Sequence, residues 1–322
     1  MGEALAMTQR KLILDTDPGI DDAFAMAMLA GLPALDLLAV TTVFGNADIE
    51  TTTRNAAYLC RQLGLHAPLY RGASTPLLRP RGPGAPHVHG DNGLGTIMLP
   101  PMPTLPDGCP EAAEAIVERV RAHPQRVTLL AIGPLTNLAL ALRLDPTIAD
   151  LVEEVVVMGG AFGTGGRWGN VTPTAEANIH NDPHAAAIVL SAPWRVTLVG
   201  LDVTARCILS SARATDLRCA GRVGEMLWDL SRFYAAAYAR YDGVDGCCLH
   251  DVAALAQIVY PDLFSYRTGR VEITVEGPEA GRTQLVPDPA GRHRVCVEID
   301  AGRLVNLFMS AVTTAAADHY IA

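Results

Sequence analysis

The sequence predicts an α/β fold, an open and mostly parallel sheet flanked by helices with a Rossmann-like core. Three observations predict it. Short apolar runs alternate with helical stretches along most of the chain, as in strand–helix–strand units. The apolar runs are continuous rather than alternating, which marks strands buried on both faces. Polar residues and glycines cluster just after the strands, where open parallel sheets bind ligands.

Lys11 to Leu14 reads as a buried strand and Asp21 to Ala30 as a helix stopped by Gly31 and Pro33. Leu35 to Val43 is the next strand, and Asp48 to Leu63 a helix with Gly64 as its C-terminal signal. Leu69-Tyr70-Arg71 is a short strand. Residues 72 to 110 are rich in proline and glycine and read as an irregular excursion that covers a site. Alternation resumes with a helix from Glu111 to Ala122, a strand from Val127 to Ile132, a helix from Leu135 to Leu144 and a strand from Val155 to Met158. A Gly-rich loop runs to Ala175. The helix Pro183 to Leu190 has Asn181 or Asp182 as its cap and proline at its first position. Arg195 to Val199 is a strand, Ser210 to Tyr238 mostly helical, and Leu249 to Val259 a helix ended by Pro261. Arg270 to Glu276 and Arg294 to Glu298 form a late antiparallel pair, and Leu304 to Ala317 is a closing helix. No repeat or linker divides the chain, so residues 10–322 are expected to form a single domain after a flexible N-terminus at residues 1–9.

Composition narrows the function. The 322 residues carry a net charge of −9, which disfavours a nucleic-acid partner. Seven cysteines without a CxxC spacing indicate reduced thiols and a cytoplasmic location, and Met1 to Gln9 lacks the pattern of a signal peptide. The most apolar region, Val127 to Leu142, is interrupted by Pro134, Thr136 and Asn137, which excludes a membrane span there.

The chemistry concentrates at the end of the first strand. Asp15, Asp17, Asp21 and Asp22 place four carboxylates within eight positions around a Pro-Gly turn. Asp21 and Asp22 suit a helix N-terminus, but Asp15 and Asp17 at a buried strand end repel each other without a remedy. Solvent, a raised pKa or a bound cation would each relieve the repulsion, and a hard cation held by carboxylate and carbonyl oxygens is the favoured reading. If the topology holds, Asn46, the segment Gly133 to Asn137, Met158 to Gly160 and Asp202 fall on the same rim. His250-Asp251 opens a helix and joins the site only if that helix end faces the rim. A phosphatase with an aspartyl nucleophile is disfavoured by Gly19 and by the Asp21-Asp22 pair, and no GxxxxGK[ST] phosphate loop occurs.

Seven blocks in order carry a family resemblance: Asp15-Thr16-Asp17-Pro18-Gly19-Ile20-Asp21-Asp22, Val43-Phe44-Gly45-Asn46, His89-Gly90 with Gly93-Leu94-Gly95, Gly133-Pro134-Leu135-Thr136-Asn137, Val157-Met158-Gly159-Gly160, Ala175-Glu176-Ala177-Asn178 and His250-Asp251. The chain resembles the calcium-dependent nucleoside hydrolases of the inosine-uridine-preferring group, from about Lys11 to the last helix. The resemblance implies hydrolysis of the N-glycosidic bond of ribonucleosides to ribose and a free base, in nucleoside salvage. It implies a Ca2+ site made by Asp17, Asp22, the carbonyl of Thr136 and Asp251, with Asp17 also the general base. Asp21, Asn46 and Asn178 then hold the ribose, Glu176 and Asn170 the 5′-hydroxyl with Met158 nearby, and His250 and His89 flank the base, His250 assisting its departure. It also implies a homo-oligomer, dimer or tetramer. A non-catalytic nucleoside or ribose binder on the same scaffold is the alternative, and the presence of Asp17, Asp22 and Asp251 argues against it.

Two departures from the family pattern stand out. The loop between Met158 and Glu176 is a few residues longer, which bears on Asn170. Ala177 replaces an aromatic residue, so base preference does not carry over. Trp228 and Phe233 are read as core, and Tyr238 and Tyr241 as candidates for a mobile lid.

Overall fold

A computed structural model describes residues 9–101 and 111–318. Residues 1–8, Cys109 and the end of the irregular excursion lie outside the described residues. The strands are β1 (Arg10–Thr16), β2 (Leu35–Thr42), β3 (Leu69–Arg71), β4 (Val127–Ala131), β5 (Glu154–Met158), β6 (Val196–Val199), β7 (Ile208–Leu209), β8 (Cys247–Cys248), β9 (Phe264–Ile273), β10 (Thr283–Pro287) and β11 (His293–Ile299). The helices are α1 (Ile20–Ala30), α2 (Ile49–Leu63), α3 (Pro86–His89), α4 (Ala112–Ala122), α5 (Thr136–Leu144), α6 (Ala177–Asn181), α7 (Pro183–Ser191), α8 (Leu201–Thr204), α9 (Ser211–Ala214), α10 (Gly221–Tyr241), α11 (His250–Val259) and α12 (Ala301–Asp318).

Nine strands form one sheet in the order β10-β9-β11-β6-β5-β4-β1-β2-β3, and β7 pairs with β8 separately. The pairings from β3 across to β11 are parallel, while β9 runs antiparallel to both β11 and β10. The chain therefore winds outward from β1 first through β2 and β3, then returns to β4 on the other side. The gap between these two directions is a switch point, where the carboxyl ends of β1, β2 and β4 open a crevice.

Apolar side chains of β1 point alternately to two cores. Leu12 and Leu14 pack with α1, α2, α10, α11 and α12, and Ile13 packs with α4, α5 and α7. The first of these layers explains α1. It is buried along nearly its whole length, from Ile20 to Leu29. A helix apolar on every side must be enclosed by its neighbours, and Phe24 lies 5.8 Å from the Phe308 ring and 6.4 Å from that of Tyr234. Enclosure carries Asp21 and Asp22, in its first turn, into the interior with it.

Local signals decide several boundaries. Gly64 ends α2 in the left-handed conformation at φ 64°, its N–H donating to the Cys60 carbonyl. Asp182, rather than Asn181, caps α7 by accepting from the Ala185 N–H at 3.0 Å. The expected late antiparallel pair is present as β9 and β11, but β9 starts at Phe264 and a further strand, β10, extends the sheet beyond it. Gly281 at φ 92° turns the chain into β10, a short edge strand whose sequence lacks alternation. The excursion is irregular apart from α3, and Ser210 to Tyr238 is helical in three pieces, with a 3-10 run at Thr215–Ala220 between α9 and α10.

Gly31, at the end of α1, marks the tightest approach of α12: a Cβ there would lie 2.0 Å from the Ala311 carbonyl oxygen. Gly31→Ala is expected to destabilise the fold by about 1–3 kcal/mol by forcing the helices apart, measured as a lower urea midpoint with an unchanged slope.

Candidate active site

Every residue of the turn after β1 is buried. Thr16 donates its hydroxyl to Asp22 Oδ1, and the Gly19 N–H donates to Asp22 Oδ2 at 2.8 Å. Asp17 Oδ2 accepts the Asn46 N–H at 2.7 Å, while Asn46 Nδ2 donates to the Asp17 carbonyl at 3.2 Å and to Asp22 Oδ2 at 3.3 Å. The loops after β2 and β4 press on the same carboxylate. A Cβ on Gly45 would lie 2.0 Å from Asp17 Oδ2, and one on Gly133 2.6 Å from Asp17 Oδ1. Only glycine leaves the carboxylate room at those two positions.

Asp251, at the start of α11, faces this cluster. Oxygens of Asp21, Asp22 and Asp251 converge within 4.8 Å of one another, and all three residues are buried. Asp17 Oδ1 and Asp21 Oδ1 are buried without a hydrogen-bond partner. Burial pushes every one of these acids up, and repulsion between them adds to it at Asp17, Asp22 and Asp251: Asp21 and Asp22 rise to about 6, and Asp17 and Asp251 lie well above the ordinary carboxylate value. Carboxylates with orphaned oxygens, converging with no paired lysine or arginine among the described residues, have the donor chemistry of a hard-cation site. The convergent set includes Asp21; Asp17 stands next to it and contributes the unpaired Oδ1.

Support comes from behind. Asp15 Oδ1 accepts from Thr41 Oγ1 at 2.6 Å and from Asn137 Nδ2 at 2.7 Å. Thr136 opens α5 on the same rim and donates its hydroxyl to Asp182 Oδ2 at 2.8 Å, an oxygen that also accepts the Leu77 N–H at 2.9 Å. Asp182 thereby joins the loop after β3 to the segment after β4.

Above the carboxylates lies a cavity of about 430 Å³ lined by Asp21, Asn46, His89, Met158, Asn170, Glu176, Asn178, His250 and Asp251, together with Arg167, Tyr234, Tyr238, Tyr241 and Asp242. Nine of the twelve residues singled out in the sequence thus share one cavity, and Asp17, Asp22 and Thr136 are buried close by. Asn178 Nδ2 donates to the carbonyls of Ile132 at 3.0 Å and Met158 at 3.1 Å. Glu176 accepts three backbone N–H groups, from Gly160, Asn178 and Ile179, yet burial still pushes it up to about 7. Asn170 is exposed and accepts the Ala177 N–H at 3.0 Å, which seats the long loop against α6.

The two histidines are held neutral. His89 Nδ1 accepts the Ile20 N–H at 3.0 Å, and burial lowers its pKa to about 4. Burial, with a smaller contribution from the Arg167 charge, lowers His250 to about 3. His250 Nδ1 lies 2.7 Å from Thr204 Oγ1 and Nε2 lies 2.6 Å from the Tyr238 hydroxyl. A hydrogen-bond chain Thr204–His250–Tyr238 therefore ends in the cavity. Thr204, Tyr234, Asn137 and Asp182 were not singled out as site residues by sequence reasoning. No local pattern marks the first two, but Asn137 sits inside a quoted motif and Asp182 is a candidate helix cap. Tyr241 is exposed with its ring 5.4 Å from His87 at the cavity mouth, whereas Trp228 and Phe233 pack against the core, Trp228 beneath the guanidinium groups of Arg218 and Arg232.

Residues 12–306 match the model of the family described as inosine-uridine preferring nucleoside hydrolase. The chain belongs to this family. It is 42% identical over 277 residues to uridine nucleosidase 1 of Arabidopsis thaliana, covering 85% of this chain and 81% of that one. It is 36% identical over 312 residues to the inosine-uridine preferring nucleoside hydrolase of Leishmania major, covering 94% and 97%. Among solved structures it superposes on the purine-preferring ribonucleoside hydrolase of Gardnerella vaginalis with a TM-score of 0.90 at 33% identity, covering 95% and 99%. As a nucleoside hydrolase the protein is a nucleoside N-ribohydrolase, cleaving ribonucleosides to base and ribose. Among the described residues, no helix is long and apolar enough to cross a membrane.

The raised acids make stability depend on pH. Asp15 and Glu176 both sit near 7 in the folded protein, above their ordinary 3.8 and 4.5. Protonated in both states at low pH, they cost nothing there; their cost grows as pH rises through the unfolded values and is complete above the folded ones. In chelator, the melting temperature is therefore expected to fall between about pH 5 and pH 7.5, and Asp15→Asn to flatten that fall. A divalent cation should raise the melting temperature more at the upper pH.

Proposed function

We propose that this nucleoside hydrolase is calcium-dependent, with Asp17, Asp22, Asp251 and the Thr136 carbonyl as protein ligands. The observation that carries the proposal is the convergence of the buried carboxylates of Asp21, Asp22 and Asp251, with orphaned oxygens on Asp17 and Asp21. Calcium fits because every donor in the cluster is a hard oxygen and none is sulfur or nitrogen. When bound, the cation supplies positive charge that orients a water and the ribose 2′- and 3′-hydroxyls.

Asp17 is the general base: its elevated affinity for a proton suits it to take one from the attacking water. Asp21, Asn46 and Asn178 hold the ribose, and Glu176 and Asn170 face the 5′-hydroxyl beside Met158. His89 and His250 flank the base. His250, neutral and hydrogen-bonded to Thr204 and Tyr238, assists the leaving base by holding the Tyr238 hydroxyl, which gives its proton to the base and regains one from solvent, rather than by storing a proton as imidazolium. Residues 10–322 act as one domain, in a cytoplasmic homo-oligomer, dimer or tetramer, engaged in purine and pyrimidine salvage. The family resemblance supports the oligomer, and the free cysteines of the described chain support a reducing location.

Incubation with inosine, uridine, adenosine and cytidine in calcium should release ribose from at least one nucleoside, and chelation should stop it; retained activity in chelator would rule the calcium proposal out. Asp17→Ala is expected to abolish turnover, with calorimetry showing weakened calcium binding. His250→Ala should lower kcat/KM more for purine than for pyrimidine nucleosides, because purine N7 can accept a proton as the base leaves. Equal losses would show that His250 is not the route of that proton.

A further inference from the structure

Arg167 has no part in the chemistry described so far, yet it is the one lysine or arginine among the residues lining the cavity. The loop after β5 brings it there. Asp202 anchors the start of this loop, its carboxylate accepting the Phe162 N–H at 2.8 Å and the Thr164 N–H at 2.6 Å. Gly163, Gly165 and Gly166, at φ 75°, 80° and 88°, then turn the chain back toward α10. Arg167 Nη2 donates to Asp242 Oδ1 at 3.2 Å, just beyond the end of α10, which is its one side-chain hydrogen bond among the described residues. The remaining guanidinium N–H groups are left without such a partner. The same cavity is lined by Tyr238 and His250, which are hydrogen-bonded to each other.

We propose that Arg167 is a catalytic residue that stabilises the nucleobase as it departs with the bonding electrons. The proposal rests on the hydrolase reading of this site. In the step, the water oxygen bonds to C1′ and its proton passes to the Asp17 carboxylate. The C1′–N bond breaks and its electron pair goes to the base nitrogen. In uracil that charge spreads onto the carbonyl oxygens, which match guanidinium N–H donors. The anion afterwards takes up a proton, from solvent or through Tyr238. A guanidinium keeps its charge at every working pH, so this stabilisation does not wait on proton transfer. A fixed charge facing charge that develops in the transition state lowers the barrier in a water-poor site.

A substrate of opposite charge type tests it. 7-Methylguanosine and nicotinamide riboside carry a positive charge on the base and release it neutral, so no base anion forms. Steady-state kcat/KM is measured for uridine and for both cationic nucleosides with wild type, Arg167→Met and Arg167→Lys, with calcium binding by calorimetry as the check on folding. Arg167→Met should lose about a hundredfold on uridine, and hold or gain on the cationic nucleosides, while Arg167→Lys should recover much of the uridine rate. Equal losses on both substrate types, or an undiminished uridine rate in Arg167→Met, would overturn the role of Arg167. Wild type that cleaves none of these nucleosides would instead overturn the hydrolase reading, and this proposal with it.

Discussion

Repulsion among buried carboxylates is the constraint on which the rest of the structure depends. Asp15, Asp17, Asp21, Asp22, Asp251 and Glu176 are all buried in one region, and among the described residues no lysine or arginine pairs with any of them. Asp15, Asp17, Asp22 and Glu176 are instead met by neutral donors: Thr16, Thr41, Asn46 and Asn137 side chains and backbone N–H groups. Such hydrogen bonds soften burial but do not cancel the charge. The molecule thus holds a concentrated negative potential at the floor of a cavity, an arrangement that favours a cation and hydroxyl donors and resists anions.

The surrounding architecture serves that floor. A parallel sheet delivers several strand ends to one rim, and the reversal of winding at β1 leaves an opening there. Because α1 is enclosed on every side, its first turn cannot swing away to relieve the repulsion. Gly45 and Gly133 allow backbone to close on Asp17 from two directions. Stability is given up at the floor and recovered in the two apolar cores, a division expected of a site organised before its ligand arrives.

Much of this was legible in the residues. Strands such as Leu69 to Arg71 and helices such as α2, with Asp48 before it and Gly64 after it, carry their own boundaries. The rim followed from topology alone, and the ordered motifs named the acids, amides and histidines at the heart of the cavity, though not its outer wall. What the chain did not disclose depends on contacts between segments distant in sequence. β10 becomes a strand because β9 offers it an edge, not because of its own pattern. The neutrality of His250 comes from burial against Thr204 and Tyr238, neither of which lies beside it in sequence. Asp21 belongs to the convergent carboxylates because α1 rotates it there, a detail of helix phase that four acids in eight positions leave open.

The bond between Asp182 and the excursion after β3 is one of several that tie the wall of the cavity to its floor. Leu77 is fastened by Asp182 and Ala73 by Asn137, while on the far side Asn92 is held by Asn55 and His89 receives the Ile20 N–H. The excursion is therefore stapled at both shoulders to the segments that build the floor. The span between the shoulders is tied as well: the Ala85 N–H donates to the Asn46 carbonyl at 2.9 Å, and Arg79 Nη1 to that of His180 at 3.4 Å. Because Asn46 also holds Asp17 and Asp22, the wall of the cavity and its floor are mechanically coupled, and a displacement of one is carried to the other.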